Sequence, residues 1–127
     1  MKADIKSKWV AALRSGAYAQ TTEVLRNGNG YCCLGVLCDL YSRETGVEWY
    51  VPNDYDDCTM HGHDGTLPEQ VRIWAQIPHD VGAYVAVSKR YDEGEDTIVD
   101  HSLSLTELND SWEYNFHQIA DVIEEQL

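Results

Sequence analysis

No lysine or arginine follows Arg90, so the last 37 residues carry no fixed positive charge. Over the whole chain of 127 residues, nine Lys and Arg stand against 22 Asp and Glu, a net charge of −13. That balance excludes a non-specific binder of phosphate backbones, which needs an excess of cations. No apolar run approaches the ~18 residues that a membrane-spanning helix requires. The opening Met1-Lys2-Ala3-Asp4-Ile5-Lys6 lacks the apolar centre of a signal peptide, so a cytoplasmic location is expected. Catalytic signatures are missing too. The chain has no Gly-x-Ser-x-Gly elbow. Gly28-Asn29-Gly30 lacks the lysine of a phosphate loop and leads into a strand rather than a helix. No repeat and no low-complexity tract is present, and the length suits one domain.

What is present is unevenly placed. Residues 1–50 carry six basic and five acidic side chains, whereas residues 51–127 carry three basic and seventeen acidic ones. The acidic part reads either as a solubilising surface or as a face for a basic partner. The aromatics are eight Tyr and four Trp with a single Phe, which favours rings with a polar edge. Such rings fill cores, and they also wall pockets for purines and riboses.

Residues 4–15 read as an amphipathic helix, with Asp4 as its cap, Ile5, Trp9, Ala12 and Leu13 on one face, and Gly16 as its stop. Thr21–Arg26 and Tyr31-Cys32 read as strands around the Asn27-Gly28-Asn29-Gly30 turn. Leu34–Arg43 reads as a buried helix ending at Gly46, and Val47–Val51 as an alternating strand ending at Pro52. Residues 52–65 read as a loop. Thr66-Leu67-Pro68-Glu69 has the spelling of a capping box before a short helix through Val71 and Trp74. Gly82–Ser88 and Thr97–Val99 read as strands joined by an acidic turn over Tyr91–Asp96. Ser104–Glu107 and Asn115–Gln118 open two further helices, the last with Phe116, Ile119, Ala120, Ile123 and Leu127 as its stripe. The expectation is a single α+β domain over 1–127, an antiparallel sheet with the N-terminal and C-terminal helices packed on it.

Four cysteines without a secretory signal argue for buried thiols rather than disulfides. Cys33 precedes a helix whose N-terminus lowers a thiol pKa, but every histidine lies at 61 or beyond. Nothing calls for an enzyme or a cofactor. Cys58, His61 and His63 fall within six residues and form a weak zinc candidate, with Asp57 or Asp64 as a fourth ligand. Their spacing matches no standard finger. The stronger ligand-binding set is Tyr18, Gln20, Arg26 and Tyr31 around the first hairpin, with Arg26 as an anion clamp, joined by Asn109 and Asp110. Asn109 and Asp110 also read as helix-ending caps, and Asp39 as the partner of a backbone donor.

Three blocks carry a resemblance. The first is Lys8-Trp9-Val10-Ala11-Ala12-Leu13-Arg14-Ser15-Gly16-x-Tyr18-x-Gln20. The second is Tyr31-Cys32-Cys33-Leu34-Gly35-Val36-Leu37-Cys38-Asp39-Leu40. The third is Leu105-x-x-Leu108-Asn109-Asp110 with Phe116-x-x-Ile119-Ala120-Asp121-x-Ile123-Glu124. Together they resemble a widespread group of small phage and prophage proteins with no settled activity. Members usually carry Gly-Lys or a similar pair after Asp110, with Phe close behind; here Ser111-Trp112-Glu113-Tyr114 intervenes. The resemblance implies a phage protein acting in an infected bacterial host, where small accessory proteins often blunt host defence. Two anti-defence routes follow. One is an oligomeric sponge that sequesters a nucleotide-derived immune signal, a cyclic nucleotide or an ADP-ribose derivative. The other is an acidic DNA mimic that occupies a basic host defence protein. Direct nucleic-acid and membrane binding are not expected.

Overall fold

The computed structural model describes residues 1–53, 56–91 and 97–127. Helix α1 spans Ala3–Arg14 and buries Ile5, Trp9, Val10 and Leu13 on one stripe. Its N-cap is Lys2 rather than Asp4, which sits in the first turn where a carboxylate favours the positive end of the helix dipole. A two-residue hairpin follows, β1 (Arg26–Asn27) against β2 (Gly30–Tyr31). The chain before it does not extend as a strand back to Thr21. Instead, Tyr31 donates its N–H to Ala19 and accepts from Thr21, so the 19–21 segment flanks β2 on the other side.

Helix α2 spans Cys33–Thr45. The Cys32 side chain caps it by accepting from the Gly35 N–H, and Gly46 in the left-handed region ends it. Seven of the first nine residues of this helix are apolar, and it is buried nearly all round, as expected of a central helix. Gly35 lies so close to the first hairpin that a Cβ there would stand 1.7 Å from the Leu25 carbonyl oxygen. Helix α3 spans Glu69–Ala75 and starts from Pro68 with no side-chain cap, so the Thr66 capping box does not form. The main hairpin pairs β3 (Tyr84–Tyr91) with β4 (Thr97–Ser104) in an antiparallel register, Val85 opposite Leu103. The acidic turn expected at Tyr91–Asp96 lies, Tyr91 apart, outside the described residues.

Helices α4 (Leu105–Asp110) and α5 (Phe116–Gln126) both open on complete capping boxes, Ser104 with Glu107 and Asn115 with Gln118. The fold is α+β, as expected, but among the described residues its strands make two separate two-stranded sheets. The Val47–Val51 segment is not a strand. Among the described residues it meets its neighbour only at the Tyr50–Thr59 bridge. The terminal helices pack on one another and α1 also packs on α2, so the core is mainly helical. Trp9, Leu34, Leu37, Leu108, Ile119 and Ile123 are fully buried there, and the Trp9 indole N–H donates to the Cys33 carbonyl at 3.0 Å. Two exposed ion pairs from Arg14, to Asp121 and Glu124, tie the last turn of α1 to α5.

Candidate functional site

The first hairpin and the chain on either side of Pro52 face each other. The Cys58 N–H donates to the Arg26 carbonyl at 2.8 Å, which fixes the 58–60 segment beside β1. Tyr50 and Thr59 exchange both backbone hydrogen bonds, at 2.9 and 3.0 Å, and so bring Trp49 and Val51 to the same place. Between these walls lies an open cavity of about 360 Å³, lined by Arg26, the Asn27–Gly30 turn, Tyr31, Val51, Asn53 and Cys58 with Ala19. Gly30 is required at its rim because a Cβ there would come within 2.3 Å of the Ala19 carbonyl oxygen.

The Arg26 guanidinium stands 5.4 Å from the centre of the Tyr31 ring and 5.5 Å from that of Trp49. Tyr31 meets Tyr18 edge-to-face at 4.9 Å and Trp49 at 6.2 Å. This wall is anchored from behind by Asp39 of α2, a carboxylate only 7% exposed. Its Oδ2 accepts from the Tyr18 hydroxyl at 2.5 Å and from Arg43 Nε at 3.0 Å, and its Oδ1 accepts from Trp49 Nε1 at 3.1 Å. Burial, then the hydrogen bond to Asp39, holds the Tyr18 phenol well above the usual tyrosine range. Burial also raises the Tyr31 phenol. Both rings therefore stay neutral at physiological pH. Arg43 is committed to Asp39, whereas no carboxylate pairs with Arg26 among the described residues. A cation held over two ring faces beside a cavity is suited to an anionic group attached to a flat ring system.

The six residues expected to bind ligand divide into two groups. Tyr18, Arg26 and Tyr31 share the aromatic wall. Gln20, Asn109 and Asp110 line a separate hollow with Tyr114. Asn109 is 2% exposed, and every hydrogen-bonding position of its amide is used within the chain. Its oxygen accepts from Gln20 Nε2 at 2.9 Å and from the Cys33 N–H at 3.2 Å. Its nitrogen donates to the Thr21 carbonyl at 3.0 Å and to Asp110 Oδ1 at 2.8 Å. Asp110 also accepts the Glu23 N–H at 3.1 Å. Asn109 thus joins α4 to the start of α2 and to the strand-like 20–21 segment. Nothing in the sequence singles out Trp49, and Asp39 reads there only as the partner of a backbone donor. Trp49 is one Trp in an alternating stretch, and only the tertiary fold sets it against a residue ten positions earlier.

The other candidates are dispersed. Cys33 is fully buried, with its thiol directed at the Leu105 carbonyl 3.7 Å away, and burial pushes its pKa well up rather than down. Cys58 lies in the cavity wall. His61 Nε2 lies 3.0 Å from the Tyr41 hydroxyl, and His63 Nδ1 lies 3.2 Å from Thr66 Oγ1. Among the described residues no three His, Cys, Asp or Glu side chains gather as a metal would need.

A family model described as Domain of unknown function (DUF8296) matches residues 1–127, so the chain belongs to that family. Neither a curated protein nor a solved structure matches it.

Proposed function

We propose that this member of the DUF8296 family binds and sequesters a nucleotide-derived signalling molecule in the cavity beside the first hairpin, acting as a phage anti-defence sponge. The observation that carries the reading is Arg26, a guanidinium with no carboxylate partner among the described residues, held over Tyr31 and Trp49 at the mouth of a cavity of about 360 Å³. The volume falls within the roughly 300–1,000 Å³ span of small-molecule pockets. The phage setting rests on the sequence resemblance, and an oligomeric assembly belongs to the same proposal.

The test is a thermal shift measured against cyclic nucleotides and ADP-ribose derivatives. Saturation at 100 times the dissociation constant adds about 2.7 kcal/mol, which moves the melting point by several degrees. The double variant Arg26→Ala/Tyr31→Ala should keep its helical circular dichroism and lose the shift. If the shift survives in that variant, the site is elsewhere. If no nucleotide shifts the wild-type protein but a basic host protein co-purifies with it in a salt-sensitive complex, the acidic-mimic reading takes over.

A further inference from the structure

Resting on the reading of this cavity as a ligand site, we infer that it takes one flat heterocycle bearing a single anionic group, the class of nucleoside monophosphates and cyclic mononucleotides. Ligands with two or more phosphates are disfavoured.

The charge inventory is the main reason. Arg26 is the one cation among the described residues lining the cavity. The next guanidinium on this side, Arg43, is bound to the Asp39 carboxylate. Acids sit close by: Asp56 and Asp57 are exposed and immediately precede Cys58 in the cavity wall. Asp56 is held in place by its N–H bond to Asn53 Oδ1 at 2.9 Å, and Asn53 also lines the cavity. Arg26 can offset the single charge of a cyclic phosphodiester and part of the charge of a phosphate monoester, but a second phosphate group placed away from Arg26 would face carboxylates with no cation among the described lining residues to offset it.

Size and polarity agree with charge. About 360 Å³ is near the lower end of small-molecule pockets, too little for two bases and their sugars together. The remaining polar lining consists of neutral amides. Asn27 spends its side-chain oxygen on the Asn29 N–H at 2.8 Å. Among the described residues no hydrogen bond engages the Asn27 amide nitrogen or the Asn29 side chain. Amides that donate and accept suit the mixed edge of a purine, whereas further phosphates would call for more cations.

The experiment is isothermal titration of the full chain with AMP, GMP, cyclic AMP and cyclic GMP. Adenosine, guanosine, ADP-ribose and cyclic di-AMP serve as comparators, with wild type, Arg26→Gln and Asp56→Asn/Asp57→Asn as proteins. At least one monophosphate should bind at one per chain, more tightly than its nucleoside and than either diphosphate. Arg26→Gln should weaken it by roughly 10- to 100-fold with an unchanged circular dichroism spectrum. The double aspartate variant should narrow the gap between ADP-ribose and the monophosphate. A nucleoside that binds as well as its monophosphate would overturn the inference. So would ADP-ribose or cyclic di-AMP binding most tightly in an Arg26-dependent way, although that result leaves the proposed function standing. An unaltered gap in the aspartate variant would refute the charge-based selection. Absence of Arg26-dependent binding by every probe would overturn the inference and the proposed function together.

Discussion

Asp39 shows how one buried carboxylate can shape a surface it does not reach. It accepts three side-chain hydrogen bonds, from Tyr18, Arg43 and Trp49, and so has donors on both oxygens. A carboxylate accepts at every position, whereas an amide must present two N–H donors on one side. Asp39→Asn therefore turns a donor toward another donor, either Trp49 Nε1 or the pair formed by Tyr18 and Arg43. The expected cost is about 1–3 kcal/mol, the range for leaving a buried donor unpaired, less whatever Asn retains. Denaturant unfolding followed by tryptophan fluorescence measures it. Ligand affinity should fall as well, because Trp49 loses its anchor beneath Arg26. A variant as stable as wild type with unchanged affinity would show that the wall holds itself.

At the scale of elements, a close backbone approach and an exposed helix cap make different demands. Gly35→Ala places a Cβ 1.7 Å from a backbone carbonyl oxygen, with no flexible side chain available to yield. The central helix must then move away from Leu25, and the expected loss is more than about 3 kcal/mol, at the severe end for single substitutions. By contrast, Asn115→Ala removes one N-cap from the exposed start of α5 and should cost about 1 kcal/mol. Chemical denaturation of both variants checks the order, and equal losses would contradict it. The same contrast explains what was legible beforehand. Asn115 and Ser104 cap from sequence because cap, helix and partner lie within four residues. Thr66-Leu67-Pro68-Glu69 has the same spelling and fails, since the chain enters α3 through Pro68 with Leu67 already buried. Val47–Val51 alternates like a strand, but a strand exists only with a paired neighbour, and this segment finds one bridge. The candidate site's geometry was half legible for a related reason. Arg26 and Tyr31 are joined by a turn that the sequence spells out, whereas Asp39 with Trp49, and Asn109 with Cys33, meet only through tertiary packing.

At the scale of the whole molecule, burial of weak acids sets the alkaline limit of the fold. Burial is the leading cause of the raised thiol pKa of Cys32, Cys33 and Cys38, and of the raised phenol pKa of Tyr18 and Tyr31. Cys32 is pushed up to about 11. In the unfolded chain these thiols ionise near their ordinary value of 9.0, and burial raises that value in the folded chain. Between those limits the unfolded state has released protons that the folded state retains. The contribution is thus fully present below about pH 9 and is lost as pH rises. Each buried thiol lowers unfolding free energy by roughly 1.4 kcal/mol per pH unit in that window, so three together approach about 4 kcal/mol per unit. A small domain holds about 5–15 kcal/mol in all, so alkaline unfolding is expected above about pH 10. The net charge of −13 works in the same direction, since each new thiolate or phenolate adds to an existing negative excess. Melting points taken in reductant from about pH 7 to about pH 11 should be level at first and then fall steeply above about pH 9. Cys38→Ala removes one of the buried acids, so its stability is lower at neutral pH but declines less steeply, by the equivalent of one proton. A wild-type profile that stays level through pH 10.5, or a Cys38→Ala profile of equal slope, would mean that these thiols ionise in the folded protein as readily as in the unfolded chain.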